Sequence, residues 1–226
     1  MDKKRPVGQR STEWHEAKAR ATKAAVLSGA ARVFDRVGYR NAVVSEISKE
    51  SQTTAGAMYH YFPSKQAVAL AVMEEFQAQL LPIFDVRIEG SGIQELVGSV
   101  SQLCDRWRED PVFRAGTLMT FEPGFLPQEQ LELRQKWEAA VGGAIANAQD
   151  SGEIAKDHDS ISLAKNLISS LVGAWTVTHA ADGTDDLQQT VGSTLRLFLD
   201  AVTIAVHREI ATQAINETFP TVAAIQ

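Results

Sequence analysis

Apolar residues recur along nearly the whole chain at intervals of three and four, the period of one face of an α-helix. No stretch alternates apolar and polar as a half-buried strand would. In residues 19–37 the positions Ala24, Leu27, Ala30, Ala31, Phe34 and Val37 share one helical face, and Gly38 stands where a C-terminal cap would end the run. Val44 and Ile47 then offer about two turns to a core before Gln52-Thr53 breaks them, and Thr54 is placed to N-cap a short helix through Tyr61. Ser64 caps a longer helix carrying Val68, Leu70, Val72, Met73, Phe76 and Leu80 as far as Pro82. Further helices are expected near 91–109, 112–121, 128–151, 160–181 and 184–214, punctuated by Pro111, Pro123, Pro127, Gly152 and Gly183. The fold class is therefore all-α. Two short helices joined by a tight turn, after helix 1, form a three-helix helix-turn-helix module ahead of a larger helical body.

Charge divides at the same place. The chain of 226 residues is net −6, but residues 1–66 hold twelve Lys/Arg against six Asp/Glu, and residues 67–226 hold ten against twenty-two. A basic first third on an acidic body is expected when only one module meets phosphate. A hydrophobic content of 44% supports a packed core, and the single cysteine, Cys104, rules out a disulfide framework or a paired-cysteine metal site. No apolar run follows MDKKRPVGQR, and no window is read as reaching the roughly 20 apolar residues of a spanning helix. The expectation is a cytoplasmic protein with no membrane partner.

Catalysis finds no support. His15, His60, His158, His179 and His207 show no HExxH spacing, no GxSxG elbow is present, and there is no strand for a glycine-rich phosphate loop to follow. No enzyme activity, metal or cofactor is expected. An architectural DNA-binding protein without a ligand would lack an apolar site, and a helical enzyme would need clustered ionisable residues.

The stretch TTAGAMYHYFPSK, residues 53–65, is too polar for a core helix and too aromatic for a solvated one. Met58 and Phe62, four apart, would pack inward on helix 1. Ala55, Gly56 and Ala57 let a backbone come close to a major groove. Thr53, Thr54, Tyr59, Tyr61 and Lys65 can donate to phosphate oxygens, and His60 can reach a base edge. These nine residues (53–57, 59–61 and 65) form the candidate DNA-contact set.

The segment GYRNAVVSEISKESQTTAGAMYHYFPSKQAV resembles the N-terminal domain of TetR-type repressors over roughly residues 19–80. The shared pattern is Gly38-Tyr39 after helix 1, Glu46-Ile47 in helix 2, the run Gly56, Ala57, Met58, Tyr59, and Ser64-Lys65 opening helix 4. Val43 stands where a capping hydroxyl is usual, Gln52 where a turn glycine is usual, and Tyr61 where histidine is common. The resemblance implies a second helical domain that homodimerises and holds a small ligand. It divides the chain into a flexible basic arm (1–18), the helix-turn-helix domain (19–66), a ligand-binding and dimerisation domain (67–215) and a tail (216–226).

DPVFRAGTLMTFE, residues 110–122, with Trp137 and the later SLVGAW, resembles the γ-butyrolactone receptor branch of that family, regulators of antibiotic production. In that branch a tryptophan at the position of Trp137 lines the signal pocket. Thr120 is then a polar anchor, and Met119, Val141, Gln77 and Ile168 are walls. The last two long helices carry apolar stripes (Leu167, Ile168, Leu171, Val172, Trp175; Leu187, Val191, Leu195, Phe198, Leu199, Val202) wider than one core is expected to absorb, pointing to a four-helix interface between two copies. The expected function is a homodimeric repressor on a palindromic operator, released by a γ-butyrolactone-type signal. The alternative is a TetR-type regulator of efflux or resistance genes that answers to an antibiotic or hydrophobic drug.

Overall fold

The computed structural model describes residues 7–85, 91–180 and 187–219, and within them every long element is an α-helix. In chain order these are α1 (Val7–Asn41), α2 (Val44–Glu50), α3 (Ala55–Tyr61), α4 (Lys65–Leu80), α5 (Gly92–Glu109), α6 (Pro111–Phe121), α7 (Pro127–Asp150), α8 (Ser160–Ala180), α9 (Leu187–Val202) and α10 (Arg208–Thr218). Single 3₁₀ turns span Leu81–Phe84 and Ala205–His207. Among the described residues the only extended pairing is an isolated bridge between Ile154 and Thr203.

Local chemistry places the first module as the periodicity implies. The Thr54 and Ser64 hydroxyls accept the Ala57 and Ala67 N–H groups, each at 3.0 Å, capping α3 and α4. Helix α2 starts at Val43 with no side-chain cap, as expected of valine there. Phe34, Ile47, Met58 and Phe62 are buried together beneath α1–α3. Gln52 sits at φ 54, the left-handed conformation a turn glycine would adopt without strain.

Three expected boundaries need correction. Helix α1 begins at Val7, so residues 7–18 of the expected flexible arm are helical. Residues 14–18 are exposed, so the pattern there carries no apolar stripe; helix-favouring residues, the Glu16–Arg20 pair at 4.0 Å and Lys18 over the Trp14 ring at 5.2 Å support the helix locally. The single helix expected over 184–214 is two helices. The chain leaves α9 at Thr203, where Ala155 N–H donates to Val202 C=O (3.0 Å) and Ile204 N–H to Glu153 C=O (2.9 Å), so tertiary pairing of a β-branched run wins over helical continuation. Residues 216–218 of the expected tail belong to α10. Residues 1–6, 86–90, 181–186 and 220–226, and with them Gly183, lie outside the described residues.

Residues 65–84 are, contrary to the sequence reading, long and apolar enough by length and composition to cross a membrane. Val68, Ala69, Val72, Met73, Phe76 and Leu80 of that run are buried in the protein, so its apolarity is spent on the core. Likewise the α8 and α9 stripes are absorbed within one protomer: Leu167, Ile168, Leu171, Trp175, Leu187, Val191, Leu195, Leu199 and Val202 are all buried, and Val172 and Phe198 partly so. The apolar residues these helices leave outward are Ile161, Val177 (71% exposed) and Leu197 (73%).

Far from the first module, Glu153 is a buried carboxylate that caps α5 from another part of the chain. It accepts from Gly92 N–H at 2.6 Å, Ile93 N–H at 3.2 Å and Ser151 Oγ at 2.9 Å, and from the Ser91 hydroxyl.

Candidate nucleic-acid interface and effector core

The short helix α3 presents its outer face to solvent. Thr54, Ala55, Gly56, Tyr59 and His60 are exposed, Tyr59 to 50%, while Met58 is fully buried. Thr53 and Ala57 are half-buried, and the Thr53 hydroxyl pairs with Ser51 Oγ at 2.7 Å inside the turn. Tyr61 is partly buried against the core, with its ring edge-on to His60 at 4.8 Å. Of the YHYF run, then, Tyr59 and His60 face out fully, Tyr61 in part, and Phe62 packs inward.

Lys65 does something the sequence did not disclose. Its ammonium donates to Tyr39 C=O (2.8 Å), Ala42 C=O (2.8 Å) and Arg40 C=O (3.4 Å), and sits 4.4 Å from the Tyr39 ring centre. An ammonium has three donors, and all three are directed at protein. The expected phosphate contact from this side chain is thus replaced, in this arrangement, by a hold on the segment between α1 and α2.

The same segment is gripped from the opposite side. Gly38 (φ 74) breaks α1, so the Tyr39 and Arg40 N–H groups lose their intrahelical acceptors. The Glu122 carboxylate, just past α6, takes both at 3.1 and 3.2 Å. Phe125 packs on Tyr39 at a tilt of 40°, 4.0 Å between centres, and Arg40 donates to Pro123 C=O. Gln130 of α7 holds the end of α6 through Met119 C=O (2.5 Å) and Glu122 C=O (2.8 Å). Eight residues earlier on α6, Arg114 meets Asp35 of α1 at 2.9 Å, with His179 of α8 on the other carboxylate oxygen at 3.5 Å. Helix α6 is therefore fastened to α1 near both of its own ends.

In the larger body the tryptophans form one stack. Trp107 and Trp175 lie 5.1 Å apart at 19°, and Trp175 and Trp137 lie 6.3 Å apart at 12°. Phe76 of α4 and Phe121 of α6 each approach Trp137 at 6.1 Å. Gly116 permits this: a Cβ there would collide with the Phe76 side chain. Trp137 and Trp175 are fully buried, and neither indole N–H has a hydrogen-bond partner. The Cys104 sulfur lies near the Trp175 N–H but outside hydrogen-bond geometry, and burial pushes its thiol up to about 12. Each unpaired buried donor costs about 1–3 kcal/mol, so two in one aromatic cluster call for an acceptor.

The sequence-derived walls divide. Met119, Val141 and Ile168 are buried on α6, α7 and α8, Val141 one turn beyond Trp137 and Ile168 two turns before Trp175. The Thr120 hydroxyl is buried and donates to Gly116 C=O at 2.7 Å, leaving its oxygen able to accept. Gln77 is instead half-exposed and accepts from Lys136 at 3.1 Å in an outer recess, because it lies one position past Phe76 and so turns off the buried face. The sequence places Trp175 in an apolar stripe and in the SLVGAW segment; its unpaired N–H is visible in three dimensions alone.

An exposed, capped short helix on a small three-helix module, joined to a larger helical body around a buried aromatic cluster, is the architecture of a helix-turn-helix transcriptional regulator. The profile described as "Bacterial regulatory proteins, tetR family" matches residues 26–72. The A-factor receptor protein of Streptomyces griseus is 32% identical over 189 residues, which is 83% of this chain and 66% of that protein. The chain thus spans just under two thirds of that relative, and 63% of the transcriptional regulator AcuR of Cereibacter sphaeroides, to which it is 27% identical over 57% of its own length. Among solved structures, the TetR regulator TylP of Streptomyces fradiae superposes with a TM-score of 0.69 at 25% identity, covering 88% of this chain and 98% of TylP. CprB of Streptomyces coelicolor, solved with its biological operator sequence, shares the fold with a TM-score of 0.76 at 22% identity, over 90% of this chain and 100% of CprB. This chain belongs to the TetR family of transcriptional regulators and is similar to its γ-butyrolactone receptor branch.

Proposed function

We propose that this chain is a cytoplasmic repressor that binds a palindromic operator as a homodimer and leaves it when a small neutral signal of the γ-butyrolactone type enters the tryptophan site. The observation that carries the reading is the Trp137 N–H, buried without an acceptor in a stack that touches α4 through Phe76. A ligand carbonyl supplies the missing acceptor, and apolar walls suit the remainder of such a molecule. The resemblance of DPVFRAGTLMTFE to that branch and the 32% identity to the A-factor receptor support the same class. A role in antibiotic or other secondary-metabolite genes is the matching expectation.

Two reading helices on a two-fold axis require half-sites about 34–36 Å apart, or a multiple of that. The outward Val177 on α8 and Leu197 on α9 are the apolar centre of the proposed dimer face. For a near-complete switch the ligand must prefer the released form about 10⁴-fold. The test is selection of duplexes from a random library by the purified protein, followed by titration of the selected complex with a synthetic 2-acyl-γ-butyrolactone and with its ring-opened carboxylate. Release by the lactone and not by the carboxylate is expected. Failure to select a palindrome would refute the operator reading. Release by a cationic hydrophobic drug alone would move the protein to the efflux-type alternative.

A further inference from the structure

We infer that Glu122 and Lys65 form a clamp on residues 39–42 that makes the reading head move with α6 and α4, so that Glu122 is a positioning residue for operator binding. The inference rests on the DNA-reading role proposed above, but it concerns a different part of the molecule from the effector site. Residues 39–42 run from the break at Gly38, in the last turn of α1, towards α2, and their backbone is held on both polar sides. Glu122 accepts its first two N–H groups at 3.1 and 3.2 Å, and Lys65 donates to its carbonyls at 2.8, 3.4 and 2.8 Å. Neither partner belongs to α1 or α2. Glu122 follows α6 directly, within three residues of Met119 and Thr120, and Lys65 is the first residue of α4, which carries Phe76 against Trp137.

The hold is built for stiffness. The Glu122 side chain is only 18% exposed and both its oxygens are used; Gln130 fixes its backbone from α7, and Phe125 covers Tyr39. Charge-assisted bonds to backbone are the stronger kind, and here opposite charges act on opposite ends of the connector's peptide dipoles. Helix α6 cannot slide relative to α1 without breaking either these bonds or the Arg114–Asp35 pair at 2.9 Å. A displacement at Met119 or Thr120 therefore reaches α2 and α3 through Glu122, in parallel with the route along α4.

The experiment compares wild type with Glu122→Ala and Glu122→Gln, by calorimetry and by hydrogen exchange of the free protein and of the protein with its library-selected duplex. In wild type the head and body are expected to melt in one transition, and duplex is expected to slow exchange in residues 111–122 and 127–141. In Glu122→Ala the Tyr39 and Arg40 amides should exchange at least about tenfold faster, since two bonds to a charged acceptor are lost. The melt should split with the head first, and the duplex-induced slowing in the body should disappear although the duplex still binds. Glu122→Gln retains one acceptor and should fall between the two; it is the variant read if the alanine form does not fold. Faster Tyr39 and Arg40 exchange with a single melt, or with unchanged slowing in the body, would overturn the clamp. Failure to select any duplex sinks the operator reading alone, and the melt of the free protein then decides the clamp.

Discussion

Replacing Trp137 by phenylalanine separates an effector site from an ordinary core. The indole is fully buried, edge-on to Phe76 and Phe121 and stacked on Trp175, so cutting it to alanine would empty a packed site at about 3–5 kcal/mol. Phenylalanine keeps a ring. It gives up about a third of the side chain, worth about 1–2 kcal/mol of burial, and it removes the unpaired N–H, returning about 1–3 kcal/mol of unmet desolvation. The two changes nearly cancel, and the melting temperature should stay within about 4 °C of wild type. Operator affinity should be unchanged, because Trp137 lies in the body rather than on the reading face. Release by a 2-acyl-γ-butyrolactone, followed by fluorescence anisotropy of labelled duplex, should need about tenfold more ligand, the value of one neutral hydrogen bond at roughly 1.4 kcal/mol. A phenylalanine variant that loses more than about 3 kcal/mol of stability, or that releases at the wild-type concentration, would show that the N–H is not waiting for a ligand.

Other outcomes follow from the same geometry. Ala55→Glu places a carboxylate on the exposed start of α3 and should abolish duplex binding in a mobility-shift assay, while the melting temperature stays near wild type. Gln52→Gly relieves a non-glycine residue at φ 54 and should stabilise the free protein by about 0.5–1 kcal/mol in urea titration; a loss of stability would mean the glutamine side chain holds the turn. Burial raises the Cys104 thiol from 9.0 to about 12, so the neutral form is favoured in the folded state. The stability this confers is complete below pH 9 and is lost as pH rises toward about 12. Native protein should therefore resist thiol reagents at pH 8 and react only in denaturant, and Cys104→Ala should flatten the alkaline part of the stability curve.

Most helices were legible because their apolar stripes and their Pro, Gly, Thr and Ser boundaries agree, as at Thr54, Ser64 and Pro111. The exposure of the outer face of α3 was legible because so short a helix cannot bury a YHYF run. Features that depend on a distant partner were hidden. Nothing local tells that Thr203 pairs with Ile154, or that Lys65 spends its three donors on the carbonyls of Tyr39, Arg40 and Ala42. The α8 and α9 stripes show how periodicity overreaches. It counts apolar residues, but the wall that buries them, here the rest of the same protomer, is set by topology. The helical start of α1 was missed for the opposite reason, since a helix held by propensity and surface pairs has no stripe to find.

The capping of α5 by Glu153 has a consequence for how the chain is made. Segments 91–93, 151–155 and 202–204 meet at one place through that carboxylate and the backbone pairs of Val202 and Ile204. During synthesis the start of α5 emerges more than a hundred residues before Ile204 does, so that end of the body stays unlocked until the chain has grown past Ile204. The buried residues shared by α1, α2 and α3, namely Phe34, Ile47, Met58 and Phe62, all lie within residues 26–62 and are in place long before. Nascent chains halted shortly before Thr203 would therefore display a finished reading head on an unlatched body, and proteases should cut them near Ser91 and Glu153 while leaving α2 and α3 intact.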